Sequence, residues 1–179
     1  MAIDASALLS HFRRHRRWTC ELVAACPEEF FEWVPEGAGF SCGGLVRHLM
    51  QAEAFWVRLL RAAAAGEVYD PFGLAGPFEE RVERFRDPNL DASRNDRFGA
   101  TFAECLEAWN GMQKKTETVI AALDERDLEE TLATHPLTGL KAPLWEMVIV
   151  MMEHEAHHRG QLSAYMKSRG AGHPTTLWS

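Results

Sequence analysis

The stretch PLWEMVIVMMEHEAHHRGQLSAYMKSR, residues 143–169, constrains the fold more than any other part of the chain. Leu144, Met147, Val148 and Met151 recur at helical spacing on one face. The same stripe continues through His154 and His158 to Leu162 and Tyr165. Two imidazoles at i and i+4 lie one above the other, with Cβ atoms about 6 Å apart, and about 40° apart around the axis. They can face one point across a helix–helix groove. His157 sits about 60° from His154, on the flank of the stripe, and is a weaker candidate. Ordinary core histidines are the plain alternative. Without an ion, each buried ring nitrogen needs a partner or costs about 1–3 kcal/mol. A ligand reading requires a third donor from elsewhere in the chain.

A second helix is expected over 41–65, with Ser41 as its cap and Leu45, Leu49, Ala52, Phe55, Trp56 and Leu59 as its apolar face. His48 falls within that face and supplies the third candidate ligand. A first helix is expected over 4–26. Asp4 or Ser6 would cap it, and its stripe is Leu8, Phe12, His15, Thr19, Leu22 and Cys26. Arg13, Arg14, Arg16 and Arg17 lie mostly off that stripe and read as a solvated basic face; His15 reads as a core histidine. The aromatic segment PEEFFEWVPEGAGF reads as a packed connection with a short helical turn at its start.

From Gly66 to Gly99, three prolines and several glycines exclude one long helix, although PFEERVERF suits a short one. A connection this long can cross a whole bundle. A third helix is expected over 101–124, opened by a Thr101–Glu104 capping box. TLATHPLTGLKAP then suggests a hairpin-like loop. Pro143 stands at the first position of the fourth helix, 143–169, and Gly170 ends it.

Composition narrows the function classes. The 179 residues suit one domain, 1–179, with one substantial core. A net charge of −7 argues against generic nucleic-acid binding, the local HFRRHRR run notwithstanding. No apolar run reaches the roughly 18–20 residues needed to span a bilayer, and MAIDASALL lacks the order of a signal peptide. A cytoplasmic protein is expected. Cys20, Cys26, Cys42 and Cys105 form no CxxC and read as reduced core thiols; Cys42, potentially exposed, is assigned no role.

A helix opening SCGGLVRHL, a long crossover and a helix carrying HEAHHRGQL together resemble the DinB/YfiT-like superfamily of metal-binding four-helix bundles, over roughly residues 4–170. The resemblance implies an all-α, up-down-down-up bundle with its crossover between helices 2 and 3. It places the metal ligands on His48, His154 and His158. It also implies a relation to transferases and isomerases that use low-molecular-weight thiols, and pairing as a homodimer; the six tryptophans suit an interface equally with a core.

Three neutral imidazoles with an open coordination position are the donor set of catalytic zinc; imidazole also suits nickel, iron and copper, so ligand type alone does not name the metal, and zinc or nickel is expected. An open position accepts a thiol, which coordination deprotonates, or water, whose pKa falls toward about 7. The donor set does not choose between these; the resemblance makes a metal-dependent enzyme of the thiol-dependent transferase type, acting on a small molecule, the leading expectation. The alternatives are a non-catalytic metal-binding bundle and a metal-dependent hydrolase. Glu53 and Glu155 turn away from the His stripe and read as surface or outer residues, while Trp56, Met151 and Tyr165 are candidate pocket walls.

Overall fold

The computed structural model describes residues 4–70, 80, 98–135 and 138–172. Four long helices dominate: α1 (Ala5–Ala24), α2 (Cys42–Ala64), α3 (Phe102–Ala122) and α5 (Leu144–Ser168). A short helix α4 (Glu125–Glu130) and a hairpin of β1 (Leu132–Thr134) and β2 (Lys141–Pro143) join α3 to α5. A 3₁₀ turn at Glu28–Phe30 opens the aromatic connection between α1 and α2. The expected short helix at residues 77–85 lies outside the described residues, Glu80 excepted.

Local chemistry sets the helix ends. Asp4 accepts the Ser6 amide and Ser41 accepts the Gly44 amide. Thr101 accepts the Glu104 amide, but the Glu104 carboxylate reaches back one residue further than a capping box requires, to the Ala100 amide at 2.7 Å. The third helix stops at Ala122 because Asp124 starts a new one. Its side chain and that of Asp127 form a reciprocal capping box. Pro143 is extended (ψ 156°), pairs with Leu132 in the hairpin and precedes the first turn of α5. At the other end Gly170, at φ +73°, donates to Lys167 while Ala171 donates to Met166, a Schellman ending that the left-handed glycine permits.

The core forms two apolar clusters stacked along the bundle. One takes Leu8 and Phe12 from α1, the second half of α2, Val119 and Ile120 from α3, and Leu144–Met152 from α5. The other takes Leu22 and Val23, the first half of α2, Phe102–Trp109, and Leu162 and Met166. Thus α1 and α5 run from the first cluster to the second, and α2 and α3 run the opposite way. The topology is up-down-down-up, as expected, so the end of α2 and the start of α3 lie at opposite ends of the bundle, about 30 Å apart for helices of this length. Both α1 and α2 pack chiefly on α3 and α5. Placing α2 beside α5 brings two histidine-bearing faces together.

Charge sits between the clusters. Arg16 is 2% exposed and bridges Glu53 at 2.7 Å and Glu155 at 2.9 Å. Glu53 also accepts from Trp109 Nε1 and Thr116 Oγ1, and Glu155 accepts from Thr19 Oγ1 at 2.6 Å. Arg159 donates to Thr19 Oγ1 at 3.2 Å. The solvated basic face expected on α1 therefore needs correcting. Arg16 replaces His15 on the buried stripe, with its guanidinium 4.4 Å from the Trp109 ring centre. Likewise Glu53 and Glu155, read as surface or outer residues, are 3% and 4% exposed. They turn away from the histidines only to enter a second buried seam. Burial alone would lower Arg16, but the two carboxylates outweigh it and hold its pKa raised.

Candidate metal centre

α2 presents His48 and α5 presents His154 and His158 to the same groove. The Nε2 atom of His154 lies 3.1 Å from Nε2 of His158 and 3.3 Å from Nε2 of His48. All three ligand atoms fall within 4.8 Å of one another. Tetrahedral coordination at a zinc–nitrogen distance of about 2.0–2.1 Å separates ligand nitrogens by about 3.3 Å, so this donor set fits a divalent ion. Among the described residues, no other group of three His, Cys, Asp or Glu side chains converges in this way. His157 is exposed and outside the cluster, its ring 5.0 Å from that of His158.

Neighbours fix the rings. Gln161 lies one turn beyond His158 and its Oε1 is 2.7 Å from His158 Nδ1. A carbonyl oxygen only accepts, so Nδ1 carries the proton and Nε2 keeps its lone pair toward the cluster. Phe40, from the α1–α2 connection, stacks on His48 at 5.1 Å between centroids and 26° between planes. Electrostatics keep His154 and His158 neutral. Burial, and then the nearby His158 and His48, lower His154 to about 3. Burial also lowers His158, against the opposing effect of its bond to Gln161. Neutral imidazole is the metal-binding form.

Beside the cluster opens a cavity of about 560 Å³. His48 and His154 form part of its wall. Ala52, Phe55 and Trp56 of α2, Val150 of α5, and His135, Thr138 and Leu140 of the hairpin form much of the rest. Of the candidate wall residues, Trp56 is placed here. Met151 is buried in the first apolar cluster, and Tyr165 packs edge-on against Trp33 at 6.4 Å, beside the second. His135 was missed from sequence: its ring lies 4.9 Å from Trp56 and 5.3 Å from Phe55. A histidine beside a proline, between two short strands, carries no periodic signal. Gln161 did carry one, its i+3 spacing from His158.

No cysteine shares the site. Cys26, Cys42 and Cys105 are buried, Cys42 completely, which removes its expected potential exposure. Burial pushes Cys20 and Cys105 up to about 11.

The sequence profile of the family described as the DinB superfamily matches residues 11–162. The uncharacterized protein YjoA of Bacillus subtilis (strain 168) is 24% identical over 168 residues, covering 93% of this chain and 92% of that one. A crystal structure of a DinB-like protein, YjoA from Bacillus subtilis, superposes with a TM-score of 0.58 at 20% identity, covering 93% of each chain.

Proposed function

The chain belongs to the DinB superfamily, and on that premise we propose that it is a metal-dependent enzyme of the thiol-dependent transferase type. His48, His154 and His158 would hold a divalent ion, zinc or nickel. One observation carries the reading: three imidazole nitrogens converge on one point, and two of those rings, His48 and His154, form part of the wall of a cavity large enough for a small molecule. A divalent ion bound there would supply Lewis acidity and favour the thiolate form of a thiol cosubstrate.

The protein's own contribution is preorganisation. Gln161 holds the proton of His158 on Nδ1, and Phe40 holds the plane of His48. The buried Arg16–Glu53–Glu155 seam fixes the rotation of α2 and α5 from the far side, so that both histidine faces stay turned to the groove. The cavity walls exclude water from bound groups, which strengthens every polar interaction made there. Among the described lining residues there is no carboxylate to act as a general base toward water. That favours the thiol reading over hydrolysis, since a coordinated thiol loses its proton without one. The homodimer is likewise part of the proposal, and light scattering of the 20.2 kDa chain should give twice that mass.

The test uses cobalt as a spectroscopic substitute. Cobalt-loaded protein given a small thiol such as 2-mercaptoethanol should develop a near-ultraviolet sulfur-to-metal charge-transfer band. The same titration of His48→Ala should leave the spectrum flat. A wild-type spectrum indifferent to thiol would refute the thiol reading.

A further inference from the structure

The cavity beside the three histidines has a chemical bias of its own. No Asp, Glu, Lys or Arg contributes to its described lining. Its floor is aromatic, with the rings of Phe55 and Trp56 set edge to face at 5.6 Å and 81°. Tyr69 extends the aromatic surface, 5.6 Å from Phe55. The hairpin closes the opposite side with Leu140 and His135, and the Thr138 amide donates to His135 Nδ1 at 3.2 Å, so the proton of the neutral ring is on Nε2. Burial lowers the pKa of His135, so that ring offers no positive charge at neutral pH. Away from the His48–His154 end, where a bound ion would bring its own charge, a buried anion or cation would find no described counter-charge in this wall, and desolvating an unpaired charge is costly. Flat, uncharged apolar groups gain contact area and ring–ring packing instead.

We propose that this cavity binds an uncharged, predominantly aromatic or hydrocarbon small molecule, packed between the Phe55–Trp56 floor and the β1–β2 hairpin with one end against His48 and His154. The inference deepens the metal-enzyme reading by naming the class of its second substrate. It rests on that reading only for the end that faces the histidines. Leu140 is the useful lever, because it is 37% exposed on the rim and tolerates substitution without disturbing the core.

The test pairs two fluorescent probes with one aromatic skeleton, neutral N-phenyl-1-naphthylamine and its anionic sulfonate, 8-anilino-1-naphthalenesulfonate. Wild-type protein should bind the neutral probe one-to-one and the sulfonate at least about tenfold more weakly, the difference being the unpaired charge. Leu140→Arg should weaken the neutral probe and strengthen the sulfonate, narrowing the ratio. Ala52→Trp, which fills the cavity from α2, should abolish binding of the neutral probe. Equal or tighter binding of the sulfonate by wild type would overturn the inference. So would neutral-probe binding unchanged in both variants. The probe titrations use chelator-treated protein, so that no bound ion lends its charge to the wall, and metal content is measured on the protein as purified. One ion per chain with the wrong probe preference refutes the substrate class and spares the metal reading. The right preference in protein that retains no metal supports the cavity assignment and removes the metal reading.

Discussion

At the scale of single residues, the candidate site depends on side chains that hold the imidazoles as much as on the imidazoles themselves. Gln161 is the clearest case, because its hydrogen bond, 2.7 Å to His158 Nδ1, selects the tautomer that leaves Nε2 able to bind a cation. Gln161→Leu should lower metal affinity roughly 10–100-fold, the usual cost of losing such a partner, with an unchanged circular dichroism spectrum; a chelator competition measures it. The lowered histidines also give the metal-free protein a pH signature. His154, near 3 in the fold, stays neutral while its unfolded counterpart takes up a proton below about 6.5, and His158 and His135 are shifted in the same direction. The unfolded state therefore binds more protons as pH falls through that window, and stability falls with it. Melting temperatures of metal-free protein should drop between pH 7 and pH 5, less steeply in His154→Ala. Much of this scale was legible in the sequence: the inward stripe singled out His48, His154 and His158. Arg16 was not, because its neighbours Arg13, Arg14 and Arg17 are exposed and a run of arginines reads as one solvated face. Only the carboxylates that meet it from α2 and α5, Glu53 and Glu155, distinguish it.

At the scale of elements, caps and apolar periodicity placed all four long helices, since Asp4, Ser41, Thr101 and Gly170 act through neighbours within a few residues. α4 escaped because its Asp124–Asp127 capping box directly follows α3 and reads as that helix's tail. Glycine is a weak helix former, yet Gly43 stands in the first turn of α2 for a tertiary reason. A Cβ on Gly43 would stand 2.6 Å from atoms of the Phe31 ring, which packs on the first turn of α2 and whose carbonyl accepts the Gly43 amide at 2.8 Å. Gly43→Ala should cost about 1–3 kcal/mol through overpacking, read as a lower urea midpoint. A neutral or stabilising result would mean that Phe31 moves aside freely. Because α2 carries His48 one turn further on, the same substitution should also loosen the metal site.

At the scale of the whole molecule, the two apolar clusters meet at one buried polar seam that draws on all four long helices. Among the described residues, Arg16 is the cation in contact with both carboxylates. Removing it leaves Glu53 and Glu155 buried and uncompensated, so Arg16→Met should destabilise the protein by about 3–5 kcal/mol. Little change in denaturant midpoint would show that the seam carries less weight than its burial suggests. That seam also bears on the choice between a catalytic and a structural ion. With Arg16, the carboxylates and both apolar clusters holding the bundle, the metal-free chain should fold, whereas a structural ion would contribute its binding energy to folding itself. No described helix is long and apolar enough to cross a membrane. The central claim, that His48, His154 and His158 together hold one divalent ion, is tested most directly by elemental analysis of protein made without a polyhistidine tag. Wild type and His157→Ala should each retain one ion per folded chain, while His48→Ala, His154→Ala and His158→Ala, all still folded, should retain essentially none. Full occupancy in His48→Ala, or loss confined to His157→Ala, would contradict it.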